Sequence, residues 1–87
     1  MAKFLVESPH TAEECSAAGP MFAKHPRAKE ILDNTVWRCG YGEHVSYTFA
    51  DFDSEREAKE VVPEPLRSKL VVKPVDVYSY DEMMKAH

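Results

Sequence analysis

Residues 35–52, TVWRCGYGEHVSYTFADF, contain two strand-like segments on either side of a glycine-rich turn. The first, TVWRC, is rich in β-branched and aromatic residues, and VSYTFADF alternates apolar and polar positions as a half-buried strand does. Gly40 and Gly42 supply the turn, so the stretch predicts a β-hairpin, although the glycine spacing leaves its loop length open. The hairpin forms the middle of the fold, and the other elements lie on both sides of it.

The segment before the hairpin predicts one strand followed by a broken helix. KFLVE, residues 3–7, is short and apolar and is bounded by Ser8-Pro9, as a buried strand is. Thr11 stands three residues before Glu14, a capping-box spacing that predicts a helix start. The helix continues to Gly19-Pro20, where proline kinks or ends it, and a second piece, MFAKHPRAKEIL, is interrupted again by Pro26.

The segment after the hairpin predicts a helix, a strand and a short terminal helix. Two further Ser-x-x-Glu pairs precede helical runs, one over 54–62 and one over 81–87. Pro63 stops the first run, and EPLRSKL adds one more helical turn. The strand LVVKPVDVYSY, residues 70–80, belongs at a sheet edge because Pro74 has no amide hydrogen for a ladder.

The element order is therefore strand, helix, strand, strand, helix, strand. With right-handed crossovers, this order predicts an α+β ferredoxin-like βαββαβ sandwich. Its antiparallel sheet has the strand order 4-1-3-2, with both main helices on one face and a short C-terminal helix. A length of 87 residues predicts one domain over 1–87.

Composition narrows the class of protein. The net charge is −4 with no basic block, which argues against nucleic-acid binding, since that depends on Lys and Arg neutralising phosphates. No apolar run approaches the roughly 20 residues of a membrane span or a signal peptide's apolar stretch. Two cysteines are too few for the disulfide framework of a small secreted protein. We expect a cytoplasmic domain with reduced thiols and no membrane contact.

Three stretches carry a family resemblance: KFLVESPHTAEEC, the hairpin around CGYGEH, and VVPEPLRSKLVVKPVDVYSYDEM. Together they resemble small bacterial proteins of the dimeric α/β-barrel superfamily. The resemblance implies that two ferredoxin-like sheets pair face to face, often around a pocket. Members include cofactor-independent monooxygenases, lactone isomerases, haem enzymes and ligand-sensing domains, so the fold narrows the function very little.

Strand alternation predicts which hairpin residues share a face. In a simple hairpin loop, odd positions of the second strand lie on the same face as even positions of the third. We expect the helices to cover the face that carries Val36, Val45, Tyr47 and Phe49. The other face, predicted to be free of helices and to pack on a second copy of the chain with space between the sheets, carries Trp37, Cys39, His44, Ser46 and Thr48.

One edge of the sheet collects residues with useful chemistry. If the loop is Tyr41-Gly42, Cys39 and His44 are directly opposed across the hairpin. The first strand and the second helix end at the same edge, and the first helix begins there. The residues predicted to gather at this edge are His10, Cys15, Cys39, His44 and Arg67.

These residues support three functions and one structural alternative. The first is a homodimeric module that binds a small organic ligand through Trp37, Cys39, Ser46, Thr48 and Arg67. The second is a cofactor-independent monooxygenase or isomerase in which His10 or His44 accepts a proton. Neither requires a cofactor.

The third function is binding of a soft metal. Two cysteines and two histidines can close a tetrahedral site for Zn²⁺ or Cu⁺, and the candidate ligands are Cys39, His44, His10 and Cys15. The structural alternative is that these residues serve only packing and turns. The C-x4-H spacing matches no strong zinc signature such as paired C-x2-C motifs.

Overall fold

Four strands form one antiparallel sheet in the order β2-β3-β1-β4 in the computed structural model, which describes residues 2–86. This order is the expected 4-1-3-2. The strands are β1 Ala2–Pro9, β2 Thr35–Trp37, β3 Val45–Phe52 and β4 Val71–Pro74. The helices are α1 Ala12–Phe22, α2 Ala28–Asp33, α3 Glu55–Glu60 and α4 Tyr80–Ala86, with 3-10 segments at Cys39–Tyr41 and Glu64–Lys69.

The central strand β1 organises the sheet by pairing on both sides. It pairs with β3 along its whole length, from Ala2 opposite Phe52 to Pro9 opposite Val45, and with β4 on its other edge. In the hairpin, Trp37 lies opposite Ser46. The predicted parity, odd positions of β2 beside even positions of β3, is therefore confirmed.

The capping box predicted at Thr11 is present. The Thr11 hydroxyl accepts from the Glu14 N–H at 3.1 Å, and the Glu14 carboxylate accepts from the Thr11 N–H at 2.8 Å. The break in the helical region lies at residues 23–27, which contain Pro26, so the interruption predicted there is confirmed. Pro20 does not end the helix, because it lies inside α1 two residues before the end.

The hydrophobic core lies between the helices and the sheet face formed by the even-numbered residues of β1 and β3. Phe4, Val6, Ala50 and Phe52 are the buried apolar residues of β1 and β3. From the helical layer, the residues that pack on them are Phe22, Ile31, Ala58, Val61, Val62 and Leu66.

The predicted assignment of the two faces is wrong. Tyr47 and Phe49 face away from the helices, whereas Ser46 and Thr48 are buried beneath them. The reason is that Phe52 shares the parity of Ser46 and Thr48, and it packs on Phe4 with ring centroids 6.3 Å apart. The large residues at the far end of β3 therefore decide which face is inside.

Small polar residues on the inner face allow α2 to approach the hairpin. The Thr35 hydroxyl donates to the Ile31 carbonyl of α2 at 2.6 Å. The Thr48 hydroxyl donates in turn to the Thr35 oxygen at 2.7 Å. Both hydroxyls are thus satisfied inside the fold, as buried polar groups need to be.

Two predicted strands are shorter than expected. After β2, the Arg38 N–H still donates to the Val45 carbonyl at 3.0 Å, but the chain then turns into the first 3-10 segment. β4 has four residues, and beyond it Val75 continues the pairing with β1 by donating to the Lys3 carbonyl at 3.0 Å. The terminal helix is present as α4, and His87 of the predicted range lies outside the described residues.

Within residues 2–86, no helix has the length and apolar character needed to cross a lipid bilayer.

Ile31 is the apolar side chain of α2 that the core depends on, with 1 % of its surface exposed. Replacing it with alanine should lower the free energy of unfolding by about 2–5 kcal/mol, because a buried cavity is left. Met21→Ala, which truncates an exposed side chain of α1, should cost less than about 1 kcal/mol. Urea unfolding of both variants measures the difference, and equal costs would contradict this core.

Candidate metal centre

The inward face of the sheet ends in two histidines. His10 and His44 continue the pairing of β1 with β3 by one further step, since the His10 N–H donates to the His44 carbonyl at 2.9 Å. Both have the even parity of the buried residues, and His10 is 8 % exposed. Their rings lie 5.8 Å apart between centroids. The ladder therefore places two imidazoles side by side at one end of the core.

A tight 3-10 turn brings Cys39 to the same place. The Tyr41 N–H donates to the Arg38 carbonyl at 2.9 Å, and the Gly42 N–H to the Cys39 carbonyl at 3.2 Å. Gly42 ends the turn with φ at 89°, in the left-handed region that residues with a side chain rarely adopt. This turn replaces the two-residue loop considered from the sequence and keeps Cys39 beside the histidines.

The second thiol comes from the start of α1. The Cys15 N–H donates to the Thr11 carbonyl at 2.9 Å, so the N-terminal cap of α1 fixes the position of this residue. The Cys15 and Cys39 sulfurs lie 3.5 Å apart. The first helix and the hairpin turn are thus joined by a pair of free cysteines.

The four side chains form a compact cluster. One donor atom from each of His10, Cys15, Cys39 and His44 lies within 4.8 Å of the other three. The His10 Nε2 is 3.3 Å from the Cys39 sulfur. Around a tetrahedral zinc ion, with Zn–S of about 2.3 Å and Zn–N of about 2.0–2.1 Å, two sulfur ligands are about 3.8 Å apart and a sulfur and a nitrogen about 3.6 Å. The two sulfur contacts are each about 0.3 Å shorter than this, so an ion would need only a small separation of the ligands.

The backbone fixes the tautomer of His10. Its Nδ1 lies 3.0 Å from the Ser8 carbonyl, which only accepts, so Nδ1 carries the proton and donates. The Nε2 lone pair then points to Cys39, whose thiol donates to it. A second ring nitrogen bonded to a backbone carbonyl is the usual support of a metal-binding histidine.

His44 has a buried ring nitrogen without a partner. Among the described residues, no group hydrogen-bonds its Nδ1, and the Ser8 hydroxyl beside the cluster is in the same condition. Buried polar atoms are nearly always bonded, and each exception needs an explanation. A metal ion bound at the His44 Nδ1 would account for the first of them.

The pKa of the Cys15 thiol is raised above its ordinary value. The main cause is its hydrogen bond with Cys39, and burial adds to it. Since the Cys39 thiol donates to His10, the Cys15 thiol donates to the Cys39 sulfur. The three side chains form a chain of hydrogen bonds that keeps the Cys15 proton in place.

The residues predicted for an organic ligand do not assemble on an open face. Ser46 and Thr48 are buried beneath the helices, and Trp37, 44 % exposed, stands edge-on to His10 with centroids 6.3 Å apart. Arg67 lies elsewhere: its guanidinium donates to the Val62 carbonyl at 2.7 Å and borders a shallow cavity of about 450 Å³. None of the other four ligand-binding candidates lines that cavity.

Sequence reasoning named all four residues of the cluster but missed Ser8. The signal was available, because Ser8 shares the even parity of Phe4 and Val6 and directly precedes Pro9-His10 in the inward series. The grouping with Arg67 is wrong because the second 3-10 segment turns that side chain to the carbonyls of Glu60 and Val62.

The chain was compared with protein-family models, curated proteins and solved structures. No match was found in any of the three. The chemistry of the site therefore rests on its own residues.

Removing the Cys39 thiol should lower the pKa of Cys15. In metal-free Cys39→Ala protein, the acceptor that holds the Cys15 proton is lost, so alkylation by iodoacetamide should begin at lower pH and run severalfold faster near neutrality. Mass spectrometry follows the alkylation of Cys15 at a series of pH values. The pH at which the rate reaches half its maximum reports the pKa, whereas a change in solvent access alters the maximal rate. Tyr41→Ala, in the same turn, is the control and should resemble the parent's Cys15 profile. An unchanged midpoint in Cys39→Ala would contradict the hydrogen-bond chain.

Proposed function

We propose that the protein binds one soft metal ion, Zn²⁺ or Cu⁺, through Cys15, Cys39, His10 and His44. The observation that carries the proposal is the cluster itself, in which two thiols and two imidazoles lie within 4.8 Å of one another. Thiolate and imidazole together favour these ions over hard cations such as Mg²⁺ and Ca²⁺.

The ligands come from four separate positions of the fold. One follows β1, one lies in α1, one opens the 3-10 turn, and one precedes β3. Four protein ligands complete a tetrahedral shell, whereas catalytic zinc sites keep one position for water. The site is therefore proposed as a structural or metal-holding centre.

A bound metal would also attach α1 to the rest of the domain. Of the α1 side chains whose burial is described, only Phe22 is buried, and Glu14 and Cys15 are half-buried. Among residues 12–17, the helix thus has little apolar contact with the sheet. A metal bond through Cys15 supplies that attachment at the end where packing is weakest.

Small-ligand binding and proton transfer by His10 or His44 stay predictions. Both would use the imidazoles that the metal centre needs. The tautomer of His10 and the unpartnered Nδ1 of His44 support metal ligation instead.

The finer architecture is part of the same proposal. The strand order β2-β3-β1-β4, with helices on one face, supports a ferredoxin-like arrangement. The helix-free face carries apolar residues, among them Leu5, Tyr47 and Phe49, and we place a second copy of the chain there. The residues on this helix-free face differ from those predicted from the sequence, since Trp37, Ser46 and Thr48 lie on the face that the helices cover.

Purified protein should take up one equivalent of Zn²⁺ or Cu⁺ per chain, measured by elemental analysis after desalting. Co²⁺ as a probe should give the visible spectrum of a four-coordinate site with a thiolate charge-transfer band. Alanine at Cys15, Cys39, His10 or His44 should weaken Zn²⁺ binding by more than the roughly 10- to 100-fold that loss of a supporting group costs.

The matched control is His25→Ala, which removes a half-buried imidazole outside the cluster and should leave Zn²⁺ affinity unchanged. Less than about 0.1 metal ion per chain, both as isolated and after reconstitution, would overturn the proposal. A Co²⁺ spectrum without thiolate bands would do the same.

Metal should slow the opening of α1. With free Zn²⁺ at about 100 times its dissociation constant, hydrogen exchange of α1 amides that open with the site should slow by up to about 100-fold. Amides of α2 serve as the internal reference, because Ile31 already holds that helix in the core. In Cys15→Ala the protection of α1 should disappear. Equal protection of α1 in that variant would exclude the attachment through Cys15.

A further inference from the structure

The C-terminal arm, residues 75–86, carries apolar side chains that nothing covers within the described chain. Every residue from 76 to 85 is exposed. In α4, Tyr80, Met83 and Met84 have the i, i+3, i+4 spacing that places them on one side of a helix. Tyr80 is 77 % exposed and Met84 57 %. An amphipathic helix of this kind normally buries its apolar side.

The helix-free sheet face is a second exposed surface, and it carries both apolar residues and charged ones such as Lys3, Glu7 and Asp51. Val36, Phe49 and Val71 on it are exposed, and Phe49 is 43 % exposed. Leu5 and Tyr47 lie between them, opposite Phe49 and Val36 respectively, and are half-buried. The core cluster takes its β1 and β3 residues from the other face alone. The protein thus offers an uncovered sheet and an uncovered helix.

The total exposed area indicates a missing partner. A compact monomer of 9.9 kDa has an accessible surface of about 5,200 Å². This chain exposes 6016 Å², and its radius of gyration of 14.3 Å exceeds the roughly 12 Å of a compact chain of this length. The excess of about 800 Å² equals what one partner buries in a standard protein interface.

We propose that two copies of the chain exchange their C-terminal arms, so that α4 of each packs its apolar side on the helix-free sheet face of the other. The five residues before α4 extend about 16 Å and α4 adds about 10 Å, which is enough to reach a neighbouring sheet. A two-fold axis relates the two copies, so the contact between the arm of one copy and the sheet face of the other occurs twice. One arm and one sheet face per chain are therefore enough for a closed dimer.

Each of the two surfaces carries a charged residue that could pair across the contact. Lys73 lies on the sheet face opposite Leu5, and Asp81 lies in the first turn of α4. Within residues 2–86, neither takes part in an ion pair. In the exchanged dimer, Asp81 at the start of α4 could pair with Lys73 on the sheet face of the partner.

The inference rests on the second copy that we placed on the helix-free face above, with α4 of that copy as the element in contact, and it is independent of the metal. Val75, where the arm begins, pairs with Lys3 at the start of β1. The metal cluster follows Pro9 at the other end of that strand. Variants in the arm therefore leave the metal ligands in place.

Sedimentation equilibrium of the full chain should give twice 9.9 kDa. Met84→Glu in the arm and Phe49→Glu on the sheet face should each weaken self-association by at least about tenfold. Both sites are exposed in one chain, so the variants should keep the parent circular dichroism. Met21→Glu, an exposed methionine in the helical layer, is the control and should not change the mass.

A mixture of isotope-labelled and unlabelled chains tests the contact itself. Nuclear Overhauser effects between the methionine methyls of the arm and the Phe49 ring of the other copy are expected. A mass of one chain at all concentrations would overturn both the pairing and the exchange, and leave the metal proposal standing. If the protein is a dimer but Met84→Glu does not weaken it and the intermolecular Overhauser effects are absent, the arm exchange alone is overturned.

Discussion

The alternation of side chains along β1 and β3 is the constraint on which the rest of the structure depends. Because the two strands pair in one register, every even position faces the helices. This inner face changes in chemistry along its length, from Phe4 and Phe52 through Ser8 and Ser46 to His10. The core and the cluster of histidines and cysteines lie at two ends of one inward face, and His10 is the buried member of that cluster. A one-residue slip would expose both together.

Local signals predicted most of the fold. Capping pairs marked the starts of α1, α3 and α4, and the hairpin pattern gave β3 its exact bounds, because these features depend on neighbouring residues. The inward direction of the hairpin could not be predicted this way. Tyr47 and Phe49 are larger than Ser46 and Thr48, so size alone favours them for the inner face. The packing of Phe52 on Phe4, which belongs to β1 and is distant in sequence, places Ser46 and Thr48 inside instead.

The candidate site could also be predicted only in part. The strand order fixes the direction of each strand, and these directions alone place His10, Cys15, Cys39 and His44 at one edge of the sheet. The tautomer of His10 depends on an atomic contact with the Ser8 carbonyl, and the unpartnered nitrogen of His44 likewise shows only in the atomic structure. Arg67 was misplaced because its side chain, not its backbone, determines where the charge lies.

The two outer strands of the sheet are short, with three residues in β2 and four in β4, where Pro74 has no amide hydrogen. Long unpaired edge strands can pair with strands of other chains and so lead to fibrils. Here the short edge strands offer few backbone N–H donors for such pairing. Self-association through the broad sheet face, as proposed for the arm exchange, would instead close at two copies.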